Sequence, residues 1–312
     1  MTRPPPAPEA EQPGTLGRVW SVLGSVVAPA TFVTAILFYF GYVSTRAQYL
    51  YFGVDVDLLG YSTQEFVMRS PGPLLVPMLG MLVVGAGLVL ADAALRRRLA
   101  EAPEPVARRW TRGLGLGGSA VLTVGVVLLL AYPALGAWSY YPLVTPLVIG
   151  AGAAALAYGL TWARRHPPGD PPGHPPGDGA ARGPRPAGPD PARTATLLLV
   201  LTVIAALFWA TGTVAEWAGR GQAKELARDL GSLPAVVVDT PQRLQVGDPA
   251  VTEEDLAAGD GEYRFRYRGL RLLVEGGGTL FLVPERWSPH GSTLVVPLDD
   301  VRVKLRFVND PP

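Results

Sequence analysis

The sequence predicts a five-helix transmembrane bundle followed by a small extracytoplasmic α+β domain. Three observations predict it. The chain of 312 residues is 48% hydrophobic and only 17% charged, where soluble domains run near one quarter charged, and its mean hydropathy is +0.24. Five apolar segments approach or exceed the roughly 20 residues needed to cross about 30 Å of hydrocarbon. Over the last hundred or so residues the pattern changes to short alternating runs, as strands of period two require.

The five segments are Ser21–Val43, Leu74–Leu95, Leu114–Leu135, Leu143–Trp162 and Ala195–Ala215, after a tail of residues 1–20. Asp92 is the one charge they carry. The first contains Ala28-Pro29-Ala30, which resembles a signal-peptidase site, but its apolar run continues past that point and no strongly basic region precedes it. A cleaved apolar core spans about 7–15 residues, so a retained signal anchor is expected. Small residues at Gly113, Gly117, Gly150, Gly152 and Ala154 predict close helix packing. The spans hold no ionisable group near their centres, which argues against a proton or ion pathway.

Arginine placement sets the expected orientation. Arg3 and Arg18 precede the first span; Arg96, Arg97, Arg98, Arg108, Arg109 and Arg112 follow the second; Arg164, Arg165, Arg182, Arg185 and Arg193 follow the fourth. The alternate loops hold only Arg46 and Arg69. A cytoplasmic N-terminus and an outside C-terminus in a bacterial plasma membrane follow. Tyr132, Trp138, Tyr140 and Tyr141 in the third loop fit an outer interfacial belt.

Residues 164–193 read as a disordered, Pro/Gly-rich cytoplasmic linker. The run HPPGDPPGHPPGD repeats with period four, so it lacks the glycine at every third position that collagen needs. Polyproline-II character is expected instead. His166 and His174 lie in it, too loosely held to predict a metal site.

The loop after the first span, YFGVDVDLLGYSTQEFVMRS at 51–70, raises a chemical question, because Asp55 and Asp57 stand one residue apart. A metal-dependent sugar-nucleotide site with that spacing needs a nucleotide-binding α/β domain around it. The local reading is a connector. Gly53 is a helix stop, and Ser62-Thr63-Gln64-Glu65 is a capping box with Tyr61 and Phe66 placed as a hydrophobic staple. A surface-lying helix of about two turns should start at Thr63 and end before Pro71 and Pro73.

Residues 216–312 are expected to form the outer domain. Gln222–Leu230 reads as an amphipathic helix, with Ala223, Leu226, Ala227 and Leu230 on one face. Strands are expected at Ala235–Asp239, Arg243–Val246, Glu262–Arg268, Leu270–Glu275, Thr279–Val283, Thr293–Pro297 and Val301–Phe307, with a hairpin turn at Gly276–Gly278.

Two of those strands carry cations on alternate positions: Arg264, Arg266 and Arg268, then Arg302, Lys304 and Arg306. In one sheet they would share a face, with Tyr263, Phe265, Tyr267, Val301, Val303, Leu305 and Phe307 turned inward. That face predicts an anionic partner: lipid headgroups, an acidic wall polymer or another membrane protein. Internal neutralisation by Glu253, Glu254, Glu262, Asp299 and Asp300 is the competing expectation. Nucleic acid is disfavoured by location.

The stretch YFG-Val54-Asp55, then Leu59-Gly60-x-Ser62-Thr63-Gln64 with an acid and an aromatic, then Arg69-Ser70, resembles uncharacterised multi-span membrane proteins of actinobacteria. The tail is similar too, at Tyr263–Tyr267, Gly269–Val274, Gly276–Gly278, Phe281–Pro284 and Trp287. The resemblance covers about half of the chain. It implies the architecture and no mechanism.

No cysteine is present, which removes disulfides, thiolate chemistry and Cys-bound metals. No catalytic set, cofactor site or metal site is expected, so an enzyme is not predicted. The expected function is a membrane-anchored interaction or sensing protein whose outer domain binds an envelope partner. The alternative is a transporter-like or lipid-handling protein.

Overall fold

A computed structural model describes residues 15–100, 104–165, 191–256, 262–288 and 291–306. The chain folds as α1 (Thr15–Leu50), α2 (Thr63–Arg69), α3 (Pro71–Ala100), α4 (Glu104–Leu130), the short α5 (Tyr132–Leu135), α6 (Tyr141–Arg165) and α7 (Pro191–Arg228), then six strands. These are β1 (Ala235–Thr240), β2 (Thr252–Asp255), β3 (Phe265–Gly276), β4 (Thr279–Pro284), β5 (Leu294–Pro297) and β6 (Arg302–Arg306). Linker residues 166–190, His290 and Phe307 lie outside the described residues. Residues 164, 165 and 191–193, assigned above to the linker, are helical.

Five helices are long and apolar enough to cross a membrane: Ala28–Leu50, Pro71–Arg98, Gly113–Leu130, Tyr141–Arg164 and Pro191–Arg228. The first helix runs seven residues past the expected Val43. It stops where Gly53, with φ 75°, takes the left-handed position. Gly53 N–H bonds the Leu50 carbonyl at 3.0 Å and Val54 N–H bonds the Tyr49 carbonyl at 3.1 Å, which is a Schellman closure.

The described residues form two compact units. The unit of residues 73–218 is helical. Its best-packed pair is α4 against α6, where glycines let the backbones meet. A Cβ on Gly152 would lie 2.5 Å from the Leu122 nitrogen, and one on Gly118 would lie 2.9 Å from that of Leu156. A Cβ on Gly125 would sit 2.7 Å from the Ile149 side chain. Gly152 and Gly150 were expected at contacts; Gly150 faces Ala206 of α7, whereas Gly113 and Gly117 meet nothing within 4 Å.

Hydrogen bonds tie this unit together where helices leave carbonyls free. Pro146 has no N–H, so the Pro142 carbonyl loses its usual partner. Thr213 of α7 donates to it at 3.1 Å. The Tyr141 hydroxyl donates to the Leu128 carbonyl, in the last turn of α4, at 2.8 Å. Asp92 accepts from Arg96 at 2.7 Å and from the Tyr158 hydroxyl at 2.6 Å.

The second unit, residues 1–72 with 219–312, holds the sheet. It is antiparallel in the order β5-β4-β3-β1-β6, with β2 also on β3. The β3–β4 hairpin turns on Gly277 and Gly278, at φ 58° and 73°, the left-handed pair that a tight two-residue turn demands. Gly269, at φ 84°, does not separate two strands as expected; β3 runs through it from Phe265 to Gly276 with register shifts. Segment 243–246 is not a strand either. Leu244 and Val246 pack onto the sheet, and the Leu244 N–H bonds the Tyr267 hydroxyl at 2.7 Å in place of a ladder partner. The exposed β2, sequence TEED, was not expected as a strand, because it has no apolar alternation. The helix predicted at Gln222–Leu230 is the continuous end of α7.

Candidate functional site

The sheet buries both faces, against different parts of the chain. One face packs Val236, Val238, Tyr267, Leu270, Leu280, Leu282 and Val296, under the segment that carries Leu244, Val246 and Val251. The other face packs Leu273, Phe281 and Val283 against residues more than 200 positions away in the sequence. Tyr49 and Phe52 come from the end of α1, Val54, Val56 and Leu59 from the 51–62 connector, Phe66 from α2, and Ala223 and Leu230 from the end of α7. Val56 and Leu59 are 1% and 2% exposed. The connector that reads as surface-lying in the sequence is therefore one wall of the domain core. Helices α1 and α7 meet there in backbone contact: a Cβ on Gly219 would lie 2.0 Å from the Ser44 carbonyl oxygen.

The local connector geometry follows the sequence signals. The Ser62 hydroxyl accepts from the Glu65 N–H at 3.3 Å, and the Glu65 carboxylate accepts from the Ser62 N–H at 2.6 Å. That bond holds the Glu65 carboxyl below its ordinary value. The Tyr61 and Phe66 rings close the staple at 5.8 Å. Burial, and then the hydroxyl of Tyr49 at 3.2 Å, push the Tyr61 phenol up. Asp55 Oδ1 accepts from the Asp57 N–H at 3.2 Å and caps the turn Val56–Leu59, while Asp57 accepts from the Tyr42 hydroxyl at 3.3 Å. Among the described residues no group of three metal-ligating side chains assembles.

Beside this joint lies a cleft of about 490 Å³, walled by Tyr51, Phe52, Phe281, Val283, Trp287 and Val295. The Tyr51 and Trp287 rings stack at 5.0 Å. The Thr293 hydroxyl donates to the Phe52 carbonyl at 2.5 Å and pins the connector to β5. Aromatic walls with a few polar groups are usual for small-molecule and peptide sites. No sequence signal pairs Tyr51 with Trp287, since 236 positions separate them.

The six cations singled out above are on β3 and β6, with β1 between them. Registers Asp239↔Arg266 and Asp239↔Arg302 set one row. Asp239 is 1% exposed. It accepts from Arg266 Nε and Nη2 at 2.7 and 3.0 Å, and from Arg302 Nε and Nη2 at 3.2 and 3.0 Å. The Arg266 hydrogen bonds, then those of Arg302, outweigh burial and hold the Asp239 carboxyl below the usual aspartate value. Arg302 also lies over the Tyr263 ring at 4.8 Å, so Tyr263, ahead of the regular strand, does not point into the core. Arg268 meets Glu254 at 3.3 Å, and Glu253 pairs instead with Arg243 at 2.8 Å.

Arg264, Lys304 and Arg306 are exposed and form no ion pair among the described residues. Leu305, expected inward, is 44% exposed because β6 is an edge strand. Asp239 went unremarked in the sequence. Its signal was a carboxylate inside the apolar run AVVVDT, which has to find a cation if it is buried.

The chain matches no protein-family model, no curated protein and no solved structure.

Proposed function

We propose that this chain is a multi-pass plasma-membrane protein of interaction or sensing type, without catalytic activity, whose sheet domain lies outside the cell and binds an envelope partner. One observation carries the reading: the ends of α1 and α7, the 51–62 connector and the sheet share a single core. A domain on a flexible tether would report nothing to the membrane. Here the sheet is built onto the ends of the first and last apolar helices, so a partner held on the domain acts directly on both. The cleft of Tyr51, Phe52 and Trp287 sits in that joint, where an occupant would alter it.

The shared core also supports the topology. The connector after the first span and the sheet after the fifth have to lie on the same side of the bilayer, which five spans satisfy. The arginine asymmetry places that side outside. Alkaline phosphatase fused after Arg306 should be active, and fused after Gly177 silent; the reverse pattern overturns the orientation. A photo-crosslinking residue at Trp287 should capture an envelope component in intact cells, whereas one at Leu244, on the opposite sheet face, should not. Capture at neither position counts against the interaction reading.

A further inference from the structure

The six strand cations divide into two sets. Arg266 and Arg302 are committed to Asp239 and fasten β3 and β6 to β1. Lys304 and Arg306 on β6, with Arg264 at the start of β3, stand exposed without a carboxylate partner among the described residues. Registers place these cations relative to the helix ends. Arg306 pairs with Ala235, Ala235 with Arg271 and Arg271 with Val283, so the four share one row and one face. Val283 belongs to the core that covers the ends of α1 and α7. The free cations therefore stand on the sheet face that docks onto the helix ends. They lie about three strand spacings, roughly 14 Å, to one side of it.

We propose that Arg264, Lys304 and Arg306 contact the phosphate groups of anionic lipids in the leaflet from which α1 and α7 emerge. The inference rests on the membrane reading given above. The helix ends fix the domain beside the bilayer, and the uncovered half of the same face carries six cations against two carboxylates, Asp239 and Glu254. Charge complementarity then selects anionic over zwitterionic lipid. Each basic residue near a surface is worth roughly fivefold in attraction to an anionic leaflet, and the effect fades within a Debye length.

The test uses the full chain in nanodiscs of phosphatidylcholine alone or mixed with phosphatidylglycerol. Amide exchange of 302–306 should slow by roughly fivefold or more in the anionic discs at low salt, and the difference should vanish at high salt. The triple change Arg264→Gln, Lys304→Gln, Arg306→Gln should abolish the difference while leaving exchange in the Val236–Val238 core unchanged. Equal exchange in both discs, or a triple variant that keeps the difference, overturns the proposal. So does equal protection by inorganic phosphate added to phosphatidylcholine discs, which would mark an anion site indifferent to the bilayer. A chain that fails to integrate into membranes at all would sink the parent reading instead, and the phosphatase fusions report that separately.

Discussion

The two units hold together by opposite means. In the sheet unit, large side chains from distant segments fill one interior: Tyr49, Phe52, Leu59, Phe66 and Phe281 are nearly fully buried. In the helical unit the outer faces carry exposed apolar residues, such as Leu82 at 66% and Leu90 at 71%. Contact there is made where side chains are absent, at Gly118, Gly125 and Gly152. The difference follows from solvent. In water, burying apolar area drives association. Among lipid tails that drive is missing, and helices gain from close backbone packing and interhelical hydrogen bonds, as at Thr213–Pro142.

The sharpest way to break this comparison is to cut the sheet core from the far side of the sequence. Leu59→Ala removes a 2%-exposed side chain of the connector. It should destabilise the sheet unit by about 2–5 kcal/mol, read as faster exchange in β4. An effect confined to residues 51–66 would show that the connector does not share the core.

Asp239→Asn comes next. Breaking a buried pair costs roughly 3–5 kcal/mol. Because Arg302 is 53% exposed and Arg266 21%, about 2–3 kcal/mol is expected after solvent screening. The pH dependence has a fixed sign. The folded carboxyl is held below the ordinary aspartate value, so its stabilisation is complete above about pH 4 and is lost as pH falls through the folded value. The Asn variant should lose less stability than the parent on acidification. An acid limb of equal depth in both would remove Asp239 from the account.

Gly152→Val tests the other half of the comparison. The new Cβ meets the Leu122 backbone at 2.5 Å, and overpacking of this kind costs about 1–3 kcal/mol. A cysteine pair introduced on α4 and α6 of this cysteine-free chain should cross-link more slowly in the variant, while the sheet is unaffected.

Ser62→Ala is the smallest effect. Loss of an N-cap costs about 0.5–2 kcal/mol, and the 3.3 Å bond places it at the low end. Only α2 should exchange faster.

Several features were legible because they depend on neighbours in the chain. The five apolar lengths, the Ser62–Glu65 box, the Gly53 stop and the glycine turn at 277–278 are each set within a few residues by helix length, capping geometry or positive φ. The arginine alternation on β3 and β6 was legible for the same reason, since period two is local.

What the sequence could not determine is partnership. VDVDLL carries the same apolar residues whether it lies on a surface or forms the wall of a core. Only the sheet brought to it by α7 decided the matter, because burial is a property of what arrives from elsewhere. Leu244 and Val246 alternate as a strand would, yet the Tyr267 hydroxyl took the Leu244 N–H and left the segment as a cover. Six cations of equal standing in the sequence became a fastened pair, a loosely paired Arg268 and an exposed trio, because register with β1 placed one carboxylate, Asp239, within reach of two of them.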